Sequence, residues 1–293
     1  MEPREPIAIV GAGAIARALG RLLYLRGEPL VALGGRTQSR AEQAAAFIGP
    51  SVQVVTVSDV PRLARRVLVA VSDEAITQVA ETLAAGGMTT GAVLHTCGAK
   101  GPEALDPLRV VGVACGMLHP LQTVADPDQG VERLQHITFG LAGDRPAVDW
   151  AEEIVALLEG NALYLAAERL SWYHAGAVLA NNGLVAAMDA AAFLLERSGV
   201  ERQAALHALE PLARASMDNV FNKGPLAALT GPIVRGDVGT VAAHLEALAA
   251  APPAIATLYR SIAQHLLQLA HQRGVTGPAI HAFESILEHP RGG

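Results

Sequence analysis

The chain has 293 residues, of which 51% are hydrophobic and 17% charged, with a formal net charge of −6. That composition excludes intrinsic disorder, which needs low hydrophobicity and high net charge. It also lacks the basic footprint of a nucleic-acid binder. The length suits two domains of ordinary size.

The first half alternates short β-branched runs with helical patterns. Ile7 to Val10 reads as a strand, followed by a helix from Ala14 to Arg26. Pro29 to Leu33 is a second strand and Ser39 to Phe47 a second helix. Further strands are expected at Val52 to Val57, Val67 to Val71, Ala92 to His95, Val110 to Cys115, Ile137 to Leu141 and Asn161 to Leu165. Helices are expected from Asp73 to about Ala84 and from Pro146 to Leu158. Continuous apolar runs between helices indicate strands covered on both faces, hence a largely parallel, doubly wound α/β sheet. After Leu165 the β signal ends, and helical runs span Glu168 to Glu196, Arg202 to Asn219, Asp237 to Ala249 and Pro253 to His271. The expected organisation is a Rossmann-like domain over residues 1–165 and an all-α domain over 166–293.

Cys97 and Cys115 provide no disulfide framework and no CxxC pair, which suggests a reducing cytosol. The first six residues lack the pattern of a secretory leader. Between Arg169 and Glu196 the sole formal charge is Asp189. A membrane span needs roughly 20 mainly apolar residues, but His174, Asn181 and Asn182 are costly in lipid. A helix buried on all sides by protein is the expectation, in a cytoplasmic chain with no membrane partner.

The strongest motif is Gly11-Ala12-Gly13-Ala14-Ile15-Ala16, leaving the first strand and opening the first helix. Gly11 permits the tight turn, Gly13 leaves the backbone open to a pyrophosphate, and Ala16 allows close helix–strand packing. The helix N-terminus supplies free N–H groups for phosphate. An NAD site usually places an acid about 20 residues further on, but Gly35-Arg36-Thr37-Gln38-Ser39-Arg40 holds none before Glu42. Arg36, Thr37, Ser39 and Arg40 suit a 2′-phosphate, so NADP(H) is the expected cofactor. Ser39-x-x-Glu42 also has the spacing of a helix capping box. Val71, Ser72 and Asp73 follow the fourth strand, with Asp73 the expected helix N-cap. Thr96 ends the fifth strand on the same side.

Gly11-Ala-Gly13, Val71-Ser-Asp73, His95-Thr-Cys-Gly-Ala99, His119-Pro-Leu-Gln-Thr123, Tyr173-His174 and Thr230-Gly-Pro-Ile-Val-Arg-Gly-Asp237 occur in order. Together they resemble a bacterial oxidoreductase family that joins a Rossmann-like domain to a C-terminal domain of unknown function, number 2520. The resemblance implies a fold like pyrroline-5-carboxylate reductase, ketopantoate reductase and the 6-phosphogluconate dehydrogenase group. It further implies NADP(H) binding and a homodimer through the C-terminal helices. Gly116-Met-Leu-His119-Pro is also similar to the His-Pro motif of prephenate dehydrogenases, without the trailing glycine.

Reduction of a carbonyl or imine needs a proton donor near the reacting centre. The lysine of a KxxxN helix motif is absent: Ala104 stands four residues after Lys100, and Ala227 four after Lys223. The acid/base candidates are therefore histidines. His119 comes first because its ordinary pKa lies near neutrality, then His174, then His95. Asn181 lies two turns beyond His174 on one helix face. Gln122 and Arg235 are candidate substrate-binding residues, Asp237 is an expected N-cap, and Cys97 is read as a packing residue. His281 and His289 are too irregularly spaced for a metal site, and none is expected. The expected function is NADP(H)-dependent hydride transfer to a small oxo or hydroxy acid in an interdomain cleft, with ketopantoate the leading substrate class. The alternatives are reduction of a cyclic imine such as pyrroline-5-carboxylate, or a non-catalytic NADP-binding sensor or scaffold.

Overall fold

Residue alternation along the first strand sets the layers. In β1 (Ile7–Val10), Ile7 and Ile9 point into one buried apolar cluster and Ala8 and Val10 into another, as side chains on a strand must alternate between faces. Both faces of the sheet are therefore covered. The computed structural model describes residues 4–288. The first three residues, and the candidate His289, lie outside the described residues.

The elements of the first unit follow in order: α1 (Ala14–Leu25), β2 (Leu30–Gly34), α2 (Gln38–Ile48), β3 (Gln53–Val55), β4 (Arg66–Val69), α3 (Ile76–Ala85), β5 (Ala92–His95), α4 (Asp106–Arg109), β6 (Ala114–Pro120), α5 (Pro127–Arg133), β7 (Thr138–Gly143), α6 (Arg145–Leu157) and β8 (Asn161–Tyr164). They build one sheet of order β3-β2-β1-β4-β5-β6-β7-β8. All neighbours are parallel except β6 and β7. Helices α1, α2, α5 and α6 contribute to one apolar face, and α3 and α4 to the other. Strand order reverses beside β1, which pairs with both β2 and β4. Crevices for ligands open outside the carboxyl ends of strands at such a reversal.

The sixth strand departs from expectation. It runs from Ala114 to Pro120, not from Val110 to Cys115, so His119 is a strand residue. Val110 and Val111 follow α4 in an exposed turn.

Helix α7 (Leu170–Arg197) follows, then α8 (Arg202–Lys223), α9 (Pro225–Ala228), α10 (Pro232–Arg235), α11 (Val238–Ala247), α12 (Pro253–Gln272) and α13 (Pro278–Glu288). Backbone contacts divide the chain at residues 181 and 182, inside α7, whereas the β signal ends near Leu165. The second unit has its own core of Leu229, Ile233, Val241, Leu267, Ile280 and Phe283. Asp237 caps α11, accepting from Thr240 N at 3.0 Å and from Thr240 Oγ1 at 2.6 Å. These bonds hold its carboxyl below the usual range.

The expectation that protein buries α7 on all sides is not met within the single chain. The helix Ala167–Arg197 is long and apolar enough to cross a membrane by length and composition, yet only 11% of its most apolar stretch is buried. Trp172, Leu179 and Val185 are exposed. Apolar content alone does not say which surface covers a helix.

Phe139 of β7 is fully buried. Phe139→Ala should therefore destabilise the first unit by about 3–5 kcal/mol. Chemical denaturation followed by Trp fluorescence would measure this, and a loss under 1 kcal/mol would contradict this packing.

Candidate active site

A cavity of about 690 Å³ opens at the carboxyl ends of β1, β2, β4 and β5. Gly11 makes its turn possible. Its φ of +131° is hostile to side chains, and a Cβ there would lie 2.1 Å from the Ala70 carbonyl oxygen. Gly13 caps α1 in extended backbone, and a Cβ there would meet nothing within 4 Å. The open space over Gly13 is what an approaching diphosphate requires. Ala16 is buried against the sheet, away from the cavity.

Most of the expected cofactor residues converge here. Gly11, Ala12, Gly13, Ala14, Ile15, Arg36, Thr37, Arg40, Val71, Ser72 and Thr96 all line the cavity, while Ala16, Ser39 and Asp73 do not. No described residue lining it is acidic. The capping box expected at Ser39 is absent, because α2 starts a residue earlier with Thr37 at its N-cap. Glu42 instead accepts from Gln38 Nε2 at 2.8 Å. Asp73 is likewise displaced as a cap by Ser72, which precedes a short 3-10 turn over Asp73–Ala75. Sequence reasoning missed the wall formed by α3. Ala75, Gln78, Val79 and Thr82 line the cavity, at the i, i+3, i+4, i+7 spacing of a single helix face. That period was available in the sequence.

Beside the β5 end of the cavity lies a cluster of rings. His119 Nδ1 and Tyr173 Oη are 2.7 Å apart, with the rings edge-on at 5.5 Å. The His174 ring stands 6.1 Å from that of His119. Two glycines make room. A Cβ at Gly98 would fall 2.6–2.8 Å from the His119 ring, and one at Gly140 would fall 2.7 Å from Tyr173 Oη. Tyr173 is seated where the first turn of α7 docks, through Leu170, on Met117 of β6 and Ala142 of β7.

The structure thus brings His119 and His174 together. Burial, reinforced by the charges of His174 and His95, pushes His119 down to about 4. At neutral pH it is an uncharged imidazole, its pKa well below the ordinary value that made it the first candidate. Burial also pushes the Tyr173 phenol up to about 12. His174 Nδ1 is buried and has no hydrogen-bond partner. His95 is fully buried, with Nε2 on the Gly101 carbonyl at 3.0 Å and Nδ1 accepting from Cys97 N at 3.3 Å. Both its nitrogens are engaged, so it holds the loop after β5 and offers no atom to a substrate. The Cys97 thiol is pushed up to about 11 by burial and by Asp73, which suits a packing residue. Gln122 is exposed, and its Oε1 accepts from Thr123 N at 2.9 Å. Asn181 is exposed on α7, and Arg235 is exposed at the end of α10 in the second unit. Among the described residues no group of three or more metal-ligating side chains occurs.

Residues 1–120 match the Rossmann-like domain family, and residues 137–266 match the domain of unknown function DUF2520. The chain joins a Rossmann-like domain to a DUF2520 domain. The resemblance read from the motifs therefore holds. No curated protein matches the chain. Among solved structures, a Bacteroides fragilis protein provisionally named an NADP oxidoreductase is 22% identical, with a TM-score of 0.71 over 90% of this chain and 98% of its own. A reductive aminase from Aspergillus terreus, solved with NADPH and ethyl-5-oxohexanoate, is 17% identical with a TM-score of 0.59, over 98% of this chain and 93% of its own. A pyrroline-5-carboxylate reductase from Coxiella burnetii is 13% identical, also with a TM-score of 0.59, over 97% and 99%. At such identities these likenesses establish the fold.

The half-buried His119 imidazole makes stability depend on pH. Above pH 6.5 both the folded and unfolded states carry a neutral His119. As pH falls from about 6.5 to about 4, the unfolded chain takes up a proton that the folded chain refuses, and stability is lost. The loss from this residue should approach about 3 kcal/mol below pH 4. Denaturation at several pH values should show a shallower decline for His119→Gln than for the parent. Parallel curves would contradict the burial of this imidazole.

Proposed function

We propose that the chain is an NADP(H)-dependent oxidoreductase acting on a C=O or C=N carbon of a small molecule. The observation that carries this reading is the cavity in which the glycine turn, the start of α1 and the Arg36-Thr37-Arg40 set meet. The turn and the helix N-terminus fit a diphosphate. Arg36, Arg40 and Thr37 fit a 2′-phosphate, and the lack of acidic lining residues removes the usual ribose partner of NAD. A reduced nicotinamide supplies hydrogen with its electron pair to an electrophilic carbon. The chain supplies the rest. Thr96 lines the cavity, and Gly98 two residues on lies against His119, so the cavity adjoins a set of half-buried proton-carrying groups.

Within this reading a small oxo acid of the ketopantoate kind is the first substrate class. The chain has no KxxxN lysine, and in this reading the His119–Tyr173–His174 cluster supplies the proton. A cyclic imine is the second class, favoured by the shared fold of the pyrroline-5-carboxylate reductase. The exposed Trp172, Leu179 and Val185 of α7 support a homodimer formed through the helices. A sensor would bind NADPH equally well but would need no such cluster.

Arg36→Ala should weaken NADPH binding about tenfold or more, as loss of a charge-assisted hydrogen bond does, and leave NADH within about twofold. Fluorescence titration reads both constants. Equal losses for the two cofactors, or no NADPH binding by the parent, would overturn the assignment. NADPH oxidation across a panel of oxo acids and imines separates enzyme from sensor.

A further inference from the structure

We propose that Tyr173 is the proton donor of this site, and that His119 positions the phenol by donating its Nδ1–H to Tyr173 Oη. The proposal rests on the oxidoreductase reading above and specifies which group of the cluster meets the substrate.

His119 of β6 and Gly140 of β7 are direct antiparallel partners, so their side-chain positions face the same side of the sheet. Gly140 leaves its position empty, and the Tyr173 hydroxyl occupies it, 2.7 Å from where a Cβ would be. Gly98 leaves a second space, filled by the His119 ring. Both rings therefore sit in spaces that only glycine provides, and their polar edges meet at 2.7 Å. A residue needed merely to fill space would not require two vacated positions and a polar edge.

Protonation then divides the roles. Burial keeps Tyr173 a phenol and His119 a neutral imidazole. His95 on β5, His174 on α7 and Asp73 after β4 are the titratable groups whose charge reaches His119; the two histidines reinforce burial, and burial outweighs Asp73. A neutral imidazole N–H is a far weaker acid than a phenol, so the phenol is the better donor of the pair. With Nδ1–H directed into Oη, the phenol proton is free to point at a substrate. The step balances. The reacting carbon gains hydrogen and an electron pair from reduced nicotinamide, and the π bond opens onto oxygen or nitrogen. That atom takes the Tyr173 proton. The phenolate left behind keeps the Nδ1–H bond and regains a proton from water after product leaves.

Nitrogen-15 NMR of the imidazoles tests the proposal without turnover. At pH 7 His119 should be neutral and protonated at Nδ1. Tyr173→Phe keeps a ring over Gly140, removes the acceptor and should shift the tautomer towards Nε2–H. The same variant should bind NADPH within about twofold of the parent. Its kcat with ketopantoate or 2-methyl-1-pyrroline, whichever the parent reduces, should fall about 100-fold or more. An Nε2–H tautomer in the parent, which turns the phenol proton towards His119, would overturn the proposal. So would an unchanged kcat in Tyr173→Phe. If neither probe is reduced, the tautomer decides alone. A parent that does not bind NADPH would instead remove the functional reading itself, and with it any role for Tyr173.

Discussion

The close approach of Gly11 to the Ala70 carbonyl is the constraint on which the site depends. A backbone with φ of +131° and no Cβ lets the end of β1 turn beneath the end of β4. The turn delivers the chain directly into α1, whose N-terminus then borders the cavity. Any side chain at position 11 would collide with backbone, which cannot swing aside as a flexible side chain can. The rest of the cavity is arranged around that turn, with the Arg36 loop after β2 and the Gln78–Val79–Thr82 face of α3 as its walls.

The second dependence is on vacated side-chain positions. Gly98 and Gly140 do for the ring cluster what Gly11 does for the cavity. The site therefore joins two kinds of chemistry. Arg36 and Arg40 offer exposed, permanent charge beside the cavity. His119 and Tyr173 form a half-buried pair that carries protons and no net charge at neutral pH. Anion recognition needs the first, and proton transfer in a site shielded from water needs the second.

Much of this was legible in the sequence because it depends on backbone chemistry. The Gly11-Ala-Gly13 motif between a β-branched run and an apolar helix has few alternative readings, and Arg36 and Arg40 beyond β2 line the same cavity. Other features depend on packing. The pair Val110-Val111 looks like a strand by propensity but lies in an exposed turn, while Gly116 weakens the β signal of the true strand. That glycine is needed because a Cβ would lie within 3.1 Å of Leu94, Ala142 and Ala147. Misplacing β6 hid the pairing of His119 with Gly140. Tyr173 was visible only as part of a motif, since nothing local tells that its hydroxyl meets a residue 54 positions earlier. The apolar run of α7 gave the helix correctly but not its exposure.

Where a dinucleotide binds decides between these roles for the cavity and the ring cluster. A crystal structure of the chain grown with NADPH should show the diphosphate over Gly13 at the start of α1 and the 2′-phosphate between Arg36 and Arg40. The nicotinamide should lie toward Thr96, on the side of His119 and Tyr173. A dinucleotide bound elsewhere, or one whose 2′-phosphate points away from both arginines, would contradict these roles.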